Sequence, residues 1–451
     1  TNLDNFLIVC GKGNNGGDGY AVARQLVSLN KRVSVFSCET SDMSRDCQIN
    51  YDICRNLGIP MENDISALEE LIISHDVVID AVFGTGLDKP LAAPYDKIIN
   101  NINQYGKYII SVDIPSGING STGETAGIAV KADRTVSFVT YKQGFLNYSA
   151  AEFLGKIKVV NIGLPEHVIK KFSNTVLMDK KYISSLLIPR LKYSHKGNFG
   201  HTLIIAGSPE FTGAAVISAN AAVKTGSGLV TLAVFHECLN MLSSCSPEVM
   251  TADLSNKNRL LDLLKKVNSI AFGPGLGNNP RTLELLKFIL ENSDVPMVID
   301  ADGINVLAEE PALLAKLKNR CILTPHLGEF SRISGLSIEE ISKDRIKAAK
   351  DFSKKYSVIL LLKGYNTIIT NECDVYVNTT GNSSMANGGM GDTLTGITAS
   401  LISQKYTIFA SGKIGSFLHG YIGEKLSKRS FAITAEDIIR NIPFYQKKLF
   451  L

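Results

Sequence analysis

Short apolar runs alternate with amphipathic stretches along most of the chain. "NFLIVCG" (5–11) is an apolar run closed by glycine, which predicts a strand buried on both faces. "DGYAVARQLVSLN" (18–30) places Tyr20, Val22, Ala23, Leu26, Val27 and Leu29 at helical spacing. "RVSVFSCE" (32–39), "VVIDAVFGTG" (77–86) and "YIISVDIPSG" (108–117) predict further strands, the last two running into glycine. Between about 160 and 195 the pattern changes to mixed polarity, with two prolines and a lysine cluster that reads as a solvated face. A boundary is expected near residue 170. Alternation then resumes with "HTLIIAGS" (201–208), "LVTLAV" (229–234), "SIAFGPGLG" (269–277), "PMVIDADG" (296–303), "CILTPHLGE" (321–329), "SVILLLKG" (357–364) and "NTIITNECDVYVNTT" (366–380).

Strands alternating with helices predict an α/β protein with parallel sheets covered on both faces. Two domains are expected, 1–170 and 175–451, with no repeat tight enough to signal duplication. Ligands of such sheets gather at the carboxyl ends of the strands, where the glycine-rich loops fall.

Composition narrows the class. A chain of 451 residues exceeds one typical core, and 45% hydrophobic with 20% charged residues is the balance of a soluble globular protein. The formal charge of +4 comes without a basic stripe interleaved with aromatics, so nucleic acid is not an expected partner. No apolar run is long enough to span a bilayer, and no signal peptide is recognisable. Cys10, Cys38, Cys47, Cys54, Cys238, Cys245, Cys321 and Cys373 form no CxxC pair and read as reduced thiols of a cytoplasmic protein.

Two glycine loops carry the candidate chemistry. "GKGNNG" (11–16) fits G-x-G-x-x-G between a strand and a helix, and Glu39 follows the second strand at the distance of a ribose contact. Alone, that pattern suggests an NAD-linked oxidoreductase. Asn14 and Asn15 within the loop, Asp80 at one strand end, and Asp113 with Ser116 at another suit a hard, oxygen-seeking cation or a proton transfer. The ordinary alternative for both aspartates is capping.

The second loop, "GNSSMANGGMGDTLTGITASLI" (381–402), turns abruptly from small and polar to helical and apolar. Amides around Gly389–Gly391 would face an anion, with Asp392 at the helix start. A carboxylate that takes a hydroxyl proton beside amides that hold a phosphoryl group is what a small-alcohol kinase requires. "KGYNT" (363–367) could hold nucleotide phosphates through Lys363 and Thr367, while "LTPHLGEF" (323–330) supplies His326 and Glu329 and "GPGLG" (273–277) a close backbone approach. Alone, His326 reads equally as structural and Lys363 as a surface charge. A kinase of a thiazole or pyrimidine alcohol, and a nucleotide sensor with Asp392 as a mere cap, are the rival readings.

"GKGNNGGDGYAVARQL", "DAVFGTGL" and "VDIPSGINGSTGE" resemble, in order and spacing, the epimerase domain of the NAD(P)H-hydrate repair enzymes over about 1–165. "SHKGNFG", "GPGLG", "LTPHLGEF", "KGYNT" and "NGGMGDTLTG" are similar to the dehydratase domain of the same family over about 195–445. The resemblance implies a Rossmann-like N-terminal domain that interconverts R and S hydrates of NADH or NADPH, and a ribokinase-like C-terminal domain that dehydrates the S form at the expense of ADP or ATP. ADP is favoured, with release of AMP and phosphate. It implies potassium held by Asn15, Asp80 and Ser116. Hydrate contacts are implied at Asn14, Asn15, Gly16, Gly17, Asp18, Gly84, Thr85, Gly86, Leu87, Asp88, Lys89 and Pro90, and at Asp113 as acid/base. In the second domain it implies hydrate contacts at Ala214, Gly275, His326 and Asp392, with Asp392 catalytic. Nucleotide contacts are implied at Lys363, Gly364, Tyr365, Asn366, Thr367 and Gly391. Magnesium would bridge the nucleotide phosphates, with Glu329 as candidate positioner, and a homo-oligomer is expected. Relatives carry a helical segment ahead of the first strand. Here position 1 is Thr and a strand follows almost at once, which reads as a fragment or a processed chain.

Overall fold

The structure, a computed structural model, describes residues 3–86, 90–172, 175–239 and 247–450. Two compact units divide the chain, Thr1–Phe172 and Ser173–Leu451. The first is built on β1 (Asn5–Cys10), β2 (Arg32–Ser37), β3 (Met61–Glu62), β4 (Val77–Ala81), β5 (Ile109–Val112), β6 (Arg134–Phe138) and β7 (Lys156–Val160). All pairings are parallel, in the order β3-β2-β1-β4-β5-β6-β7. The order reverses between β1 and β4, which opens the crevice where doubly wound sheets bind ligands. Strand alternation fills both faces: Leu7 and Val9 join one core cluster, Ile8 and Cys10 the other. The helix Asn14–Ser28 follows β1 directly, four residues earlier than the apolar periodicity predicts, so "NNGGD" is its first turn rather than a preceding loop.

The second unit contains β8 (Thr175–Leu177), β9 (His201–Ile205), β10 (Leu229–Val234), β11 (Val249–Asp253), β12 (Ser269–Phe272), β13 (Met297–Ile299), β14 (Cys321–Leu323), β15 (Ile359–Leu362), β16 (Thr367–Thr370) and β17 (Val375–Asn378). The sheet order is β11-β10-β9-β12-β13-β14-β15-β16-β17-β8. Pairing is parallel from β11 to β15 and antiparallel from β15 through β17. The stretch 366–380 is therefore a hairpin and not one strand. Its turn is set by Asn371, whose Oδ1 accepts from the amides of Cys373 and Asp374 at 2.9 and 2.6 Å. The mixed-polarity region near 175 is also structured: β8 pairs in parallel with β17 and closes that edge of the sheet.

The helix Met390–Ser403 is buried along its whole length from Thr393 onward. Its polar threonines and serines are accommodated by bonds inside the core, and Gly396 allows contact with the helix Thr212–Thr225. A Cβ there would lie 2.2 Å from the Ser218 carbonyl oxygen. That close packing fixes the position of Asp392 in the first turn.

Candidate active sites

In the first unit the glycine loop is dictated by space. A Cβ at Gly11 would lie 2.1 Å from the Val82 carbonyl oxygen, and one at Gly16 only 1.8 Å from that of Gly11. At Gly13 a Cβ would meet nothing, so the backbone there borders open space. The turn thus wedges the helix start against the ends of β1 and β4.

Asn15, Asp80 and Ser116 converge there. Asp80 is fully buried, and its oxygens accept from Ser116 Oγ (2.5 Å), Ser116 N (2.9 Å) and Ser111 Oγ (2.7 Å). Burial nevertheless pushes its carboxyl above the usual range, with the serine bonds opposing. The Asn15 amide nitrogen donates to the Phe83 carbonyl at 2.9 Å, and the Phe83 amide donates to Ser116 Oγ at 2.8 Å. Gly84 touches Asn15, and Thr85 lies against the loop at Gly120. Asn14 accepts from Ser44 Oγ at 2.8 Å and faces out with Asp18. Burial, then the charge of Asp113, raises the Asp18 carboxyl. Gly17 is buried against the backbone at Cys47 and offers little surface to a ligand. Gly86 and Pro90 are exposed loop residues, while Leu87, Asp88 and Lys89 lie outside the described residues. Glu39 is taken by an ion pair with Lys12 (2.7 Å) and a hydrogen bond from Tyr95.

Asp113 stands just past β5 with φ at 63°, a left-handed conformation that is uncommon for a side-chain-bearing residue. Its Oδ1 accepts from the Phe138 amide at 2.9 Å and pairs with Lys142 Nζ at 2.7 Å. Sequence reasoning missed Lys142. Its only signal was a lysine a few residues beyond β6, in a stretch that showed no strand pattern.

In the second unit the strand-end motifs meet around Lys363. Its Nζ lies 2.7 Å from Asp300 Oδ1 and 3.9 Å from Glu329 Oε2. Asp300 is 1% exposed and accepts on its other oxygen from Thr395 Oγ1 at 2.9 Å. Burial would raise this carboxyl, but the Lys363 charge and the bonds from Lys363, Thr395 and Thr324 outweigh it and hold it below the usual range. A Cβ on Gly391 would lie 3.2 Å from Lys363 Nζ. Asp392 therefore sits beside this cluster. Its carboxyl is pushed up to about 6 by burial, then by the charge of Asp300, with Lys363 opposing and Asp302 adding. No hydrogen bond or ion pair engages the Asp392 carboxylate among the described residues.

Gly364, Tyr365, Asn366 and Thr367 line a cavity of about 700 Å³ together with Lys363 and Gly391. Asn378, Thr380, Ser383, Met385, Leu394 and His419 complete its wall and were not foreseen. Such a volume is that of a small-molecule or cofactor pocket. Ala214 and Gly275 are in contact, since a Cβ on Gly275 would lie 3.0 Å from the Ala214 Cβ. His326 serves its own helix. Nδ1 accepts from the amides of Gly328 (3.0 Å) and Glu329 (3.1 Å), while Glu329 Oε2 accepts from the His326 amide at 2.8 Å. Nε2 lies 3.3 Å from Glu329 Oε1, while the side chain is still 55% exposed. No group of three or more His, Cys, Asp or Glu side chains is arranged to hold a metal among the described residues.

Fold and sites together define a Rossmann-like unit joined to a ribokinase-like one, in which Lys363 lines a cavity of about 700 Å³ and the Asp392 carboxylate follows Gly391 of its wall. The model of the NAD(P)H-hydrate dehydratase family matches residues 202–444, and that of the YjeF-related protein N-terminus matches 1–144. The chain belongs to the family of bifunctional NAD(P)H-hydrate repair enzymes. It is 37% identical over 426 residues to the Coxiella burnetii member, covering 94% of this chain and 86% of that one. It is 32% identical to the Escherichia coli member, covering 94% and 81%. Among solved structures, the ADP/ATP-dependent NAD(P)H-hydrate dehydratase of Bacillus subtilis, co-crystallised with ATP and Mg²⁺, is 26% identical with a TM-score of 0.54. It covers 61% of this chain and 98% of its own. A ribokinase-like protein of Enterococcus faecalis is 28% identical, with a TM-score of 0.58 and 62% and 97% covered.

Proposed function

We propose that the chain repairs hydrated NADH and NADPH: the first unit interconverts R and S hydrates, and the second dehydrates the S form with ADP. The observation that carries this reading is Asp392, a half-buried and unpaired carboxylate in the first turn of a helix, beside Lys363 and next to Gly391 of the 700 Å³ cavity wall. Hydroxide leaves poorly and phosphate well. Asp392 takes the proton of the C6 hydroxyl as that oxygen receives the terminal phosphoryl group of ADP. AMP departs, phosphate is then eliminated with a proton from C5, and the ring double bond returns. Gly391, the helix N-terminus and Lys363 offset the phosphoryl charge. Lys363, Gly364, Tyr365, Asn366 and Thr367 hold the nucleotide; Ala214, Gly275 and the exposed part of His326 face the hydrate. Magnesium arriving with the nucleotide would supply charge neutralisation at its phosphates. Glu329 is committed to its helix cap and can contribute little more than charge.

In the first unit Asn15, Asp80 and Ser116 would hold potassium. The donor set fits that ion: all three offer oxygen, and Asp80 is a buried carboxylate with no lysine or arginine bonded to it among the described residues. When bound, the ion offsets the Asp80 charge beside the hydrate. Asp113 exchanges the proton, and Asn14, Asn15, Gly16, Gly17, Asp18, Gly84, Thr85, Gly86 and Pro90 border the substrate. Mixed NADH hydrates supplied with ADP, ATP or neither test the reading through the absorbance of regenerated NADH. Full recovery with ADP is expected. Formation of a stable phosphate ester without NADH would turn the reading toward a small-alcohol kinase.

A further inference from the structure

β13 is followed by the sequence Asp300-Ala301-Asp302, and this turn bonds to three separate motifs. Asp302 Oδ2 accepts from the Gly277 amide at 2.8 Å, at the end of "GPGLG". Asp300 accepts from Lys363 of "KGYNT" and from Thr395, one helical turn beyond Asp392. Between them Ala301 has φ 49° and ψ −119°, a conformation normally left to glycine. The backbone is locked in place, because a Cβ on Gly273 would lie 1.9 Å from the Asp300 carbonyl oxygen. Strain held by such packing at a site points to a task for the turn.

The task follows from the wiring. Lys363 borders Gly391 and so lies within electrostatic reach of the neighbouring Asp392. A lysine bonded to the base would compete for the lone pair that must accept the hydroxyl proton. Here the lysine is bonded to Asp300 instead. We propose that Asp300 is a positioning residue for dehydration: it anchors Lys363 toward the nucleotide cavity and thereby leaves the Asp392 carboxylate unpaired. This rests on Asp392 being the base and Lys363 a nucleotide contact. The charged groups facing Asp392 are Asp300 and Asp302 from the β13 turn and Lys363 from the end of β15. Glu329 Oε2 lies 3.9 Å from Lys363 Nζ, and the Lys363 charge, after burial, lowers the His419 imidazole on the helix Ile408–Leu426.

The test uses the full chain, ADP and the S hydrate of NADH, with kcat/KM for the hydrate measured from pH 5 to 8. In the parent the rate is expected to rise through an acid limb centred at about pH 6. Asp300→Asn removes the negative charge that helps raise Asp392 and frees Lys363 to pair with it. Both effects favour the ionised form, so the limb moves to lower pH, while the plateau kcat falls about tenfold or more because the base is now paired. A folded Asp300→Asn protein with the parental limb and a plateau within about twofold overturns the proposal. If it fails to fold, Thr395→Val frees the same carboxylate from its second anchor. A smaller shift in the same direction and about a threefold loss are then expected, and parental behaviour overturns the proposal. Asp392→Ala separates the two levels. If that variant still dehydrates, the assigned base is wrong; if it is dead while Asp300→Asn behaves as parent, only the positioning role fails.

Discussion

Each unit brings a lysine to a carboxylate beyond the carboxyl ends of its strands, and the two wirings differ. In the first unit Lys142 bonds directly to Asp113 at 2.7 Å. In the second, Lys363 bonds to Asp300 at the same distance and Asp392 is left alone. The buried structural carboxylates differ in the opposite sense. Asp300 has its cation built in, whereas the groups bonded to Asp80 among the described residues are hydroxyls and amides. A buried carboxylate with no basic side chain beside it is costly unless something else brings positive charge. One unit thus has its cation covalently tethered, and under the proposed function the other borrows one.

The sharpest way to break that division is to remove each proposed acid/base group. Asp392→Ala is expected to lower dehydration by about a thousandfold or more and leave interconversion of the R and S hydrates intact. Asp113→Ala should do the reverse, read by chromatographic separation of the epimers. Loss of both activities from one substitution in a folded protein would defeat the two-site division. Next in size, Asp80→Asn should lower epimerisation by about tenfold to a hundredfold and abolish its dependence on potassium, because the charge that attracts the ion is gone. A parental response to potassium in that variant would remove the borrowed-cation half of the comparison.

Lys142→Met should reduce epimerisation by about tenfold, mostly in kcat, with Lys142→Arg keeping the greater part of the activity and dehydration unchanged in both. The guanidinium keeps the charge and a donor for Asp113. Equal rates in the Met and Arg variants would show that the direct ion pair has no part in turnover.

Much of this architecture was legible, for a physical reason. Strands buried on both faces, such as β1, β4 and β10, need continuous apolar runs, and loops where backbones nearly touch need glycine. Gly11 and Gly16 are of this kind, with no room for a Cβ. Edge and near-edge strands escaped notice. β7 reads "KIKVV", β3 has two residues, and β8 and β11 are short and partly exposed. An edge needs no apolar face on its open side. In the sites, Asp300 and Lys142 were missed because an aspartate after a strand and a lysine in a loop look like a cap and a surface charge. Only their partners 2.7 Å away, 63 and 29 positions apart in the chain, reveal them. His326 shows the converse: it stands at a motif-bearing strand end, yet most of its bonds serve a helix cap.

The smallest expected effect concerns stability, and it follows from Asp392 being left alone. Its carboxyl titrates at about 6 in the folded chain against an ordinary 3.8. Between those values the folded state binds more protons at this site than the unfolded state, so the contribution of Asp392 to stability falls as pH rises from about 4 to about 6 and then levels off. Asp392→Asn has no charge to confine. It should match the parent below about pH 4 and exceed it above about pH 6, by about 1–2 kcal/mol. Thermal melting at pH 4 and pH 8 checks this. A difference at pH 8 is expected only if the carboxylate is held without a partner, because an ion pair with Lys363 would make the same substitution destabilising. The sign of one melting shift therefore reports whether the second unit really keeps its lysine away from its base.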